Sequence, residues 1–286
     1  MPALMEETSA FLMVQLAAGS FGVGALGAVL GIGGGTLLVP FLVLVTGMDP
    51  VVAVGISLFC VIGTSIGGAS RALQSGQANL RLALTLEPWM MCSAVFTAYG
   101  AHQIDGRWIL VAFAFLLFGL ALLFLRLALQ PSRLGPVTPT DIPEFWDGIC
   151  PEPDGSVIAY RPQKVPAMAG LVFATGALSG LLGIGGGALN VAYLTILGRV
   201  PLRAAASTSV LTMLVTGAAA GAVHLSQGKL PGAWIAISML SVVPGSLLGA
   251  RFQKYLPERA LRLLFAFIAL SIGVFTLLRS WPTGAA

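Results

Sequence analysis

A few charged side chains interrupt the long apolar stretches of this sequence, and they are the first residues that could do chemistry. Glu87 lies well inside an apolar stretch and is followed by Pro88. A carboxyl group that leaves water can take up and release a proton, so Glu87 is a candidate for proton coupling. The alternative is a carboxylate that accepts backbone donors where Pro88 distorts the helix.

Two cationic candidates accompany this acid. A charge at the centre of a membrane helix costs at least about 2.5–3.5 kcal/mol. Arg71 lies towards one end of its apolar stretch, so it either extends its guanidinium to the membrane surface or attracts an anion. His224 lies at a comparable depth towards the other face, and it is either a structural histidine or a second contributor to an anion site.

The string Gly-Ile-Gly-Gly-Gly occurs twice, at residues 31–35 and 183–187. Glycine inside a helix costs about 1 kcal/mol relative to alanine, so both helices are expected to unwind there. The backbone groups that this frees must face protein or a water-filled cavity. N–H groups at the start of the next helix would then form an anion site, unless the glycines serve close helix packing. The candidate residues are Gly33, Gly34, Gly35, Gly185, Gly186 and Gly187.

Small polar side chains follow each string and could donate hydrogen bonds to oxygens of a bound anion. Serine and threonine in apolar helices more often bond their own backbone carbonyls, and this alternative stays open. An asparagine needs several partners when it is buried. The candidates for substrate contact are Thr36, Ser57, Asn190, Ser207, Thr208 and Ser209, within a wider group of hydroxyls that includes Thr64, Ser65, Ser70, Thr212 and Thr216.

The elements that must position these residues are membrane helices. The chain is 57% hydrophobic and only 9% charged, with a mean hydropathy of +0.92, so it cannot supply the polar surface of a water-soluble globule. An all-α polytopic membrane protein is predicted, and most segments reach the roughly 20 residues that a span needs. The segments are residues 10–31, 36–47, 51–74, 80–99 and 107–130, then 167–184, 188–198, 204–227, 232–250 and 259–279.

The two strings lie 152 residues apart, and identical residues around them at the same offset, such as Gly24 and Gly176, indicate a duplication that the five segments in each half match. Predicted domains are a first transmembrane repeat at 1–130, a proline-rich cytoplasmic linker at 131–166 and a second repeat at 167–286. With the N-terminus outside, eleven Lys and Arg lie on the cytoplasmic side and three outside, which satisfies the positive-inside rule. Because each half contains an odd number of segments, the second half enters the membrane from the side opposite to the first. The repeats are therefore predicted to be inverted, each with a glycine break near the bilayer midplane, as in secondary transporters.

Several classes of function are excluded by what the sequence lacks. The phosphate-binding string G-x-x-x-x-G-K-[ST] is absent, so ATP hydrolysis by this chain is not expected. Three cysteines without metal-ligand spacing indicate neither a zinc site nor a disulfide framework, and no cofactor is predicted. The net charge of +4 comes from loop arginines rather than a nucleic-acid surface. No enzymatic motif is present, and no catalytic residue is assigned.

The twin strings also carry a family resemblance. The pattern GIGGG-x-L-x-V in both halves, the Ser57 and Ser207–Ser209 segments, and the glycines at Gly76 and Gly228 resemble the TauE/SafE family of sulfite exporters. The resemblance covers nearly the whole chain outside 131–166. It implies a plasma-membrane carrier that exports sulfite or an organosulfonate such as sulfoacetate by alternating access. An anion channel with a glycine-lined pore is the alternative.

The two halves differ directly after their strings. Asn190, Val191 and Ala192 stand where the first half has Leu38, Val39 and Pro40. Met239 likewise stands where the first half has Glu87. We therefore expect substrate specificity and any proton coupling to depend on groups that only one half supplies.

Overall fold

The computed structural model describes residues 2–30, 33–129, 145–152, 156–228, 230–253 and 258–280. These residues form ten α-helices and one β-hairpin. The elements are α1 (Pro2–Leu30), α2 (Gly35–Thr46), α3 (Pro50–Gln74), α4 (Leu80–Ala101), α5 (Gly106–Leu129), β1 (Gly148–Pro151), β2 (Val157–Tyr160), α6 (Val165–Leu182), α7 (Gly187–Ile196), α8 (Leu202–Ser226), α9 (Gly232–Gln253) and α10 (Glu258–Ser280).

The prediction of an all-α polytopic membrane protein is confirmed. Within the described residues, seven helices are long and apolar enough to cross a membrane. The helix α4 has 22 residues, or roughly 33 Å, which is also long enough, although it is not among those seven. The helices α2 and α7 have only 12 and 10 residues, or roughly 18 and 15 Å, so each is too short to span alone, as expected.

Helices of the two halves interleave in a reciprocal pattern. Helix α1 packs along α9, and its counterpart α6 packs along α4. Helix α3 packs on α9, and its counterpart α8 packs on α4. The remaining long contacts pair counterparts directly, α3 with α8 and α5 with α10. Exchanging the two halves therefore reproduces the same set of neighbours.

The tightest of these contacts depend on the absence of a side chain. A Cβ on Gly24 of α1 would lie 2.5 Å from the carbonyl oxygen of Val242, and a Cβ on the matching Gly176 of α6 would overlap the carbonyl oxygen of Met90. A Cβ on Gly180 would overlap the carbonyl oxygen of Ala94. Small residues let the backbones approach closely, as in other membrane helix pairs.

The linker between the halves folds partly as the β1–β2 hairpin, while residues 130–144 and 153–155 lie outside the described part. The strands are antiparallel, with Gly148 opposite Tyr160. The side-chain amide of Asn79, before α4, donates to the carbonyl of Trp146 at 2.8 Å. Glu152 forms an ion pair with Arg203 of α8 at 3.4 Å. The hairpin thus joins the start of α4 to the start of α8.

Candidate functional site

Both glycine strings interrupt the helical path, as predicted. Helix α1 ends at Leu30 and α2 begins at Gly35; Gly31 and Ile32 lie outside the described residues. In the second string Gly185 and Gly186 have φ values of +68° and +76°. Glycine is the residue that adopts this left-handed region without a steric penalty. The sequence can therefore leave the helix at these points and begin a new one within a few residues.

The two breaks contact one another. A Cβ on Gly35 would lie 2.8 Å from the carbonyl oxygen of Gly183. The Ser57 hydroxyl lies between them, 2.8 Å from the Gly183 carbonyl and 3.3 Å from the Gly35 carbonyl. Its counterpart Ser209 donates to the carbonyl of Gly187 at 3.2 Å. Both hydroxyls, which were predicted to donate to the substrate, thus donate to backbone carbonyls at the breaks.

A cavity of about 390 Å³ lies beside the first break. Its walls come from the end of α1, the second half of α3, the start of α8 and the end of α9. Small and apolar residues such as Ala28, Val210 and Met213 form much of the lining. The volume falls in the usual range for small-molecule sites, roughly 300–1,000 Å³. The polar members of the lining are Thr64, Ser65, Arg71, Ser75, Gln77, Ser207 and Ser246.

Arg71 is the cation of this lining, and it is exposed. Among the described residues no acidic side chain pairs with it. Ser65 is only 1% exposed, and its hydroxyl oxygen has no partner among the described groups. Ser207 completes a set of three donors that are not committed elsewhere. A cation and free hydroxyls without a carboxylate are the groups that bind an anion.

The other hydroxyls of the cavity are occupied by their own helices. Thr64 donates to the carbonyl of Val61, and Ser246 donates to that of Val243, at 3.0 and 2.8 Å. Such back-bonding to the preceding turn is common in apolar helices. The hydroxyl protons of these residues are therefore not available to a ligand while these bonds persist.

Of the six glycines that were predicted to form a backbone anion site, only Gly33 lines the cavity. Gly34 and Gly35 are buried against neighbouring helices, and Thr36 is buried with its hydroxyl unpartnered. Gly185, Gly186 and Gly187 are buried as well. In this conformation the first break touches the cavity and the second does not.

Asn190 belongs to a second polar cluster, which is not part of the cavity lining. Its amide donates to the Thr212 hydroxyl at 2.8 Å and approaches the sulfur of Met90 at 3.4 Å, and its oxygen accepts from Tyr193 at 3.0 Å. One turn along α8, the Thr216 hydroxyl donates to Oε1 of Glu87 at 2.6 Å. The predicted coupling residue thus lies beside Asn190 and outside the cavity lining.

The last two predicted residues lie at opposite ends of α8. The Thr208 hydroxyl accepts a bond of 3.0 Å from the backbone N–H of Asn79, near the hairpin. His224 is fully buried, and its Nε2 lies 3.1 Å from the carbonyl oxygen of Gly180. The ring of His102 lies 5.0 Å from the His224 ring. Neither Thr208 nor His224 lines the cavity.

Four polar contributors were not singled out from the sequence. One is Ser75, which lines the cavity and donates to the carbonyl of Ala72 at 3.3 Å. Gln77 lines the cavity and also donates to the carbonyl of Pro151 in the hairpin at 3.0 Å. Ser246 enters from α9, and its matching residue Ala94 gives no polar signal. Tyr193 did carry a signal, because it follows Asn190 by three residues and so shares its helix face.

Two groups of the hairpin show perturbed acidity. Burial, with repulsion from Glu152 as the second cause, raises the pKa of the Cys150 thiol. Burial also raises the pKa of Tyr160 to about 12. Both groups are therefore neutral at physiological pH, which suits an apolar contact between the hairpin and the start of α8.

The chain matches the family model described as "Sulfite exporter TauE/SafE" over residues 16–276. It is 26% identical over 263 residues to the probable membrane transporter protein YjnA of Bacillus subtilis (strain 168), covering 88% of this chain and 94% of that protein. It is 42% identical over 69 residues to the probable membrane transporter protein YunE of the same organism, covering 24% and 25%. No solved structure is significantly similar to the chain.

Proposed function

The chain belongs to the sulfite exporter TauE/SafE family, and we propose that it is a secondary transporter that moves a small sulfur oxyanion out of the cell. The substrate is sulfite or an organosulfonate such as sulfoacetate. The protein works in the plasma membrane, with its N-terminus outside and its linker in the cytoplasm, as the loop charges favour. No reaction is catalysed.

The observation that carries this proposal is the cavity with a lone arginine. A bound sulfonate or sulfite would accept hydrogen bonds from Arg71, Ser65 and Ser207, and its charge would balance the guanidinium. The apolar walls around Met213 and Leu247 would receive a short organic tail. The cavity adjoins Gln77, which bonds to the hairpin, and in the proposed orientation the cavity therefore opens towards the cytoplasm.

At the other end of the molecule, the residues that correspond to the cavity lining are packed closely together. An offset of 152 residues relates the cavity residues Ala206, Val210 and Met213 to Val54, Leu58 and Val61. These three are fully buried, and a Cβ on Gly185 would lie 2.6 Å from the Val61 side chain. The reciprocal helix pairing supports the proposal of inverted repeats. During transport the two ends would exchange the open and the closed arrangement, as in other secondary transporters.

This closed end favours a carrier over the anion channel that a glycine-lined break could also form. A channel needs one path open to both sides. Transport by a carrier saturates and shows counterflow, because the site is exposed to one side at a time.

Flux into proteoliposomes tests the substrate and the site together. Sulfite, sulfoacetate, taurine and sulfate form the panel. Loss of a charge-assisted hydrogen bond costs about 1.5–3 kcal/mol, so Arg71→Gln should raise the half-saturating concentration roughly 10- to 100-fold. Arg251→Gln removes a cation from the same end of α9 without touching the cavity lining and should transport normally. Failure of every sulfur oxyanion to move would refute the proposal.

Cysteine accessibility separates the carrier from the channel. Leu247 lines the cavity, and Val95 is its counterpart at the closed end. In a background without native cysteines, an impermeant maleimide should label Leu247→Cys from the linker side and leave Val95→Cys largely unreacted. A carrier exposes the two positions alternately. Labelling of both positions by reagent added on the linker side alone would favour the channel, because it requires one path that connects the two ends.

A further inference from the structure

Glu87 is buried without charge compensation. It is 8% exposed, Oε1 accepts from Thr216, and Oε2 has no partner among the described groups. In the described part of the chain no basic side chain forms an ion pair with it. An ionised carboxylate in such surroundings is strongly disfavoured. This conformation therefore suits a carboxyl group that carries a proton.

Few other ionisable groups face Glu87. Helix α4 packs on α6, which contains no titratable residue, and on α8. On α8 the ionisable residues are Arg203 and His224, 13 and 8 residues from Thr216, or roughly 20 and 12 Å along the helix. From α7, Tyr193 faces the same region. A change in pH over the physiological range would thus act on this region chiefly through Glu87.

The surroundings of Glu87 are connected to the second break. One turn along α4, Met90 contacts Asn190. A Cβ on Gly186 would overlap the terminal methyl of Met90 and would lie 3.7 Å from Oδ1 of Asn190. A movement at the break must therefore displace groups that pack beside the carboxyl group.

This cluster combines α4 of the first half with α7 and α8 of the second, and the exchanged helices of the other end do not reproduce it. The positions that match Glu87, Asn190 and Tyr193 carry Met239, Leu38 and Phe41. The exception is Thr64, which matches Thr216 and lines the open cavity. By the same relation, Thr216 would line the cavity at the opposite end when that end opens, and water would then reach Glu87.

We propose that Glu87, held by Thr216, is a proton-binding site that couples the conformation of the carrier to pH at the end opposite the cavity. With that end open, water solvates the ionised carboxylate. Closing the end buries the group, so a proton from the solution there must first add to a carboxylate oxygen. The inference rests on the alternating access proposed above, and it does not depend on which anion is carried.

The ratio of maleimide labelling at Val95→Cys to that at Leu247→Cys tests the site without any substrate. The same ratio measured in Glu87→Gln gives the part of the pH effect that comes from thiol reactivity itself. Raising the pH from 6 to 9 should increase the ratio at least tenfold in an otherwise wild-type chain, because the ionised acid favours the opposite opening. Glu87→Gln imitates the protonated group, so the ratio should stay low and change less than twofold.

Two variants control for indirect effects. Glu152→Gln removes an acid from the hairpin, outside the cluster, and should keep the wild-type response. Glu87→Asp keeps a carboxyl group and should keep a response even if Glu87→Gln folds poorly. A pH response that survives in Glu87→Gln, or one that Glu87→Asp loses, would overturn the inference. If neither cysteine ever became protected, alternating access itself would fail instead.

Discussion

The two glycine breaks give a matched pair of substitutions with opposite expected outcomes. Gly34 and Gly186 occupy equivalent positions in the two strings. Gly34 has φ −68°, in the right-handed helical region, whereas Gly186 has φ +76°. Alanine at both positions therefore tests whether the second break depends on a conformation that only glycine adopts readily.

The magnitudes follow from the local geometry. An L-residue in the left-handed region costs about 1–2 kcal/mol. A Cβ on Gly186 would also overlap the Met90 methyl and lie 2.9 Å from Cγ2 of Thr175, and such overpacking costs about 1–3 kcal/mol. At Gly34 the nearest atom to a Cβ is 3.7 Å away, and alanine there restricts the unfolded chain, a gain of about 0.4–1 kcal/mol.

We expect Gly186→Ala to lower the midpoint of heat inactivation in detergent, and Gly34→Ala to leave it unchanged or raise it. A difference of about 2–6 kcal/mol between the two variants corresponds to at least roughly 4 °C. Size-exclusion chromatography after heating measures this directly. Equal midpoints, or a lower midpoint for Gly34→Ala, would refute the assigned backbone conformations.

Two further predictions concern packing, the first between the halves and the second at the hairpin. Gly176→Ala should destabilise the protein by about 1–3 kcal/mol, because the new methyl would meet the carbonyl of Met90. In the same helix, a methyl at Gly170 would meet open space, so Gly170→Ala should stabilise the protein by about 0.5–1 kcal/mol. Equal heat-inactivation midpoints for the two variants would contradict this prediction. The raised pKa of Cys150 leaves its thiol protonated at pH 7.5, so in a chain whose exposed Cys92 is replaced by serine its alkylation should be slow and should accelerate with increasing pH. Ile149→Cys combined with Cys150→Ser, at a site 58% exposed, should react much faster, and similar rates would show that the hairpin does not cover Cys150.

Much of the fold could be predicted from local physics. Apolar composition and segment length predict the helices, because a backbone in lipid must satisfy its hydrogen bonds within each segment. The breaks follow from the poor helix propensity of consecutive glycines. The duplication follows from matching residues at one offset. None of these inferences requires knowing which helices are neighbours.

The candidate site was predictable only in part. Arg71 and Ser207 were singled out as rare or polar residues in apolar segments, and they do line the cavity. Ser57 and Ser209 were singled out on the same grounds, yet both donate to backbone carbonyls at the breaks. A hydroxyl carries no mark in the sequence that separates these uses, since its partner depends on which atom lies within reach.

The sequence by itself thus determined the membrane environment, the ten helices and the two interruptions, because each depends on composition and on neighbours within a few residues. Only the tertiary structure decided that the cavity combines α3 with α8 and α9, and that Glu87 meets Thr216 across 129 residues of chain. Such meetings depend on helix rotation and on close approach at Gly24 and Gly176. Those are properties of packed pairs, and no single segment encodes them.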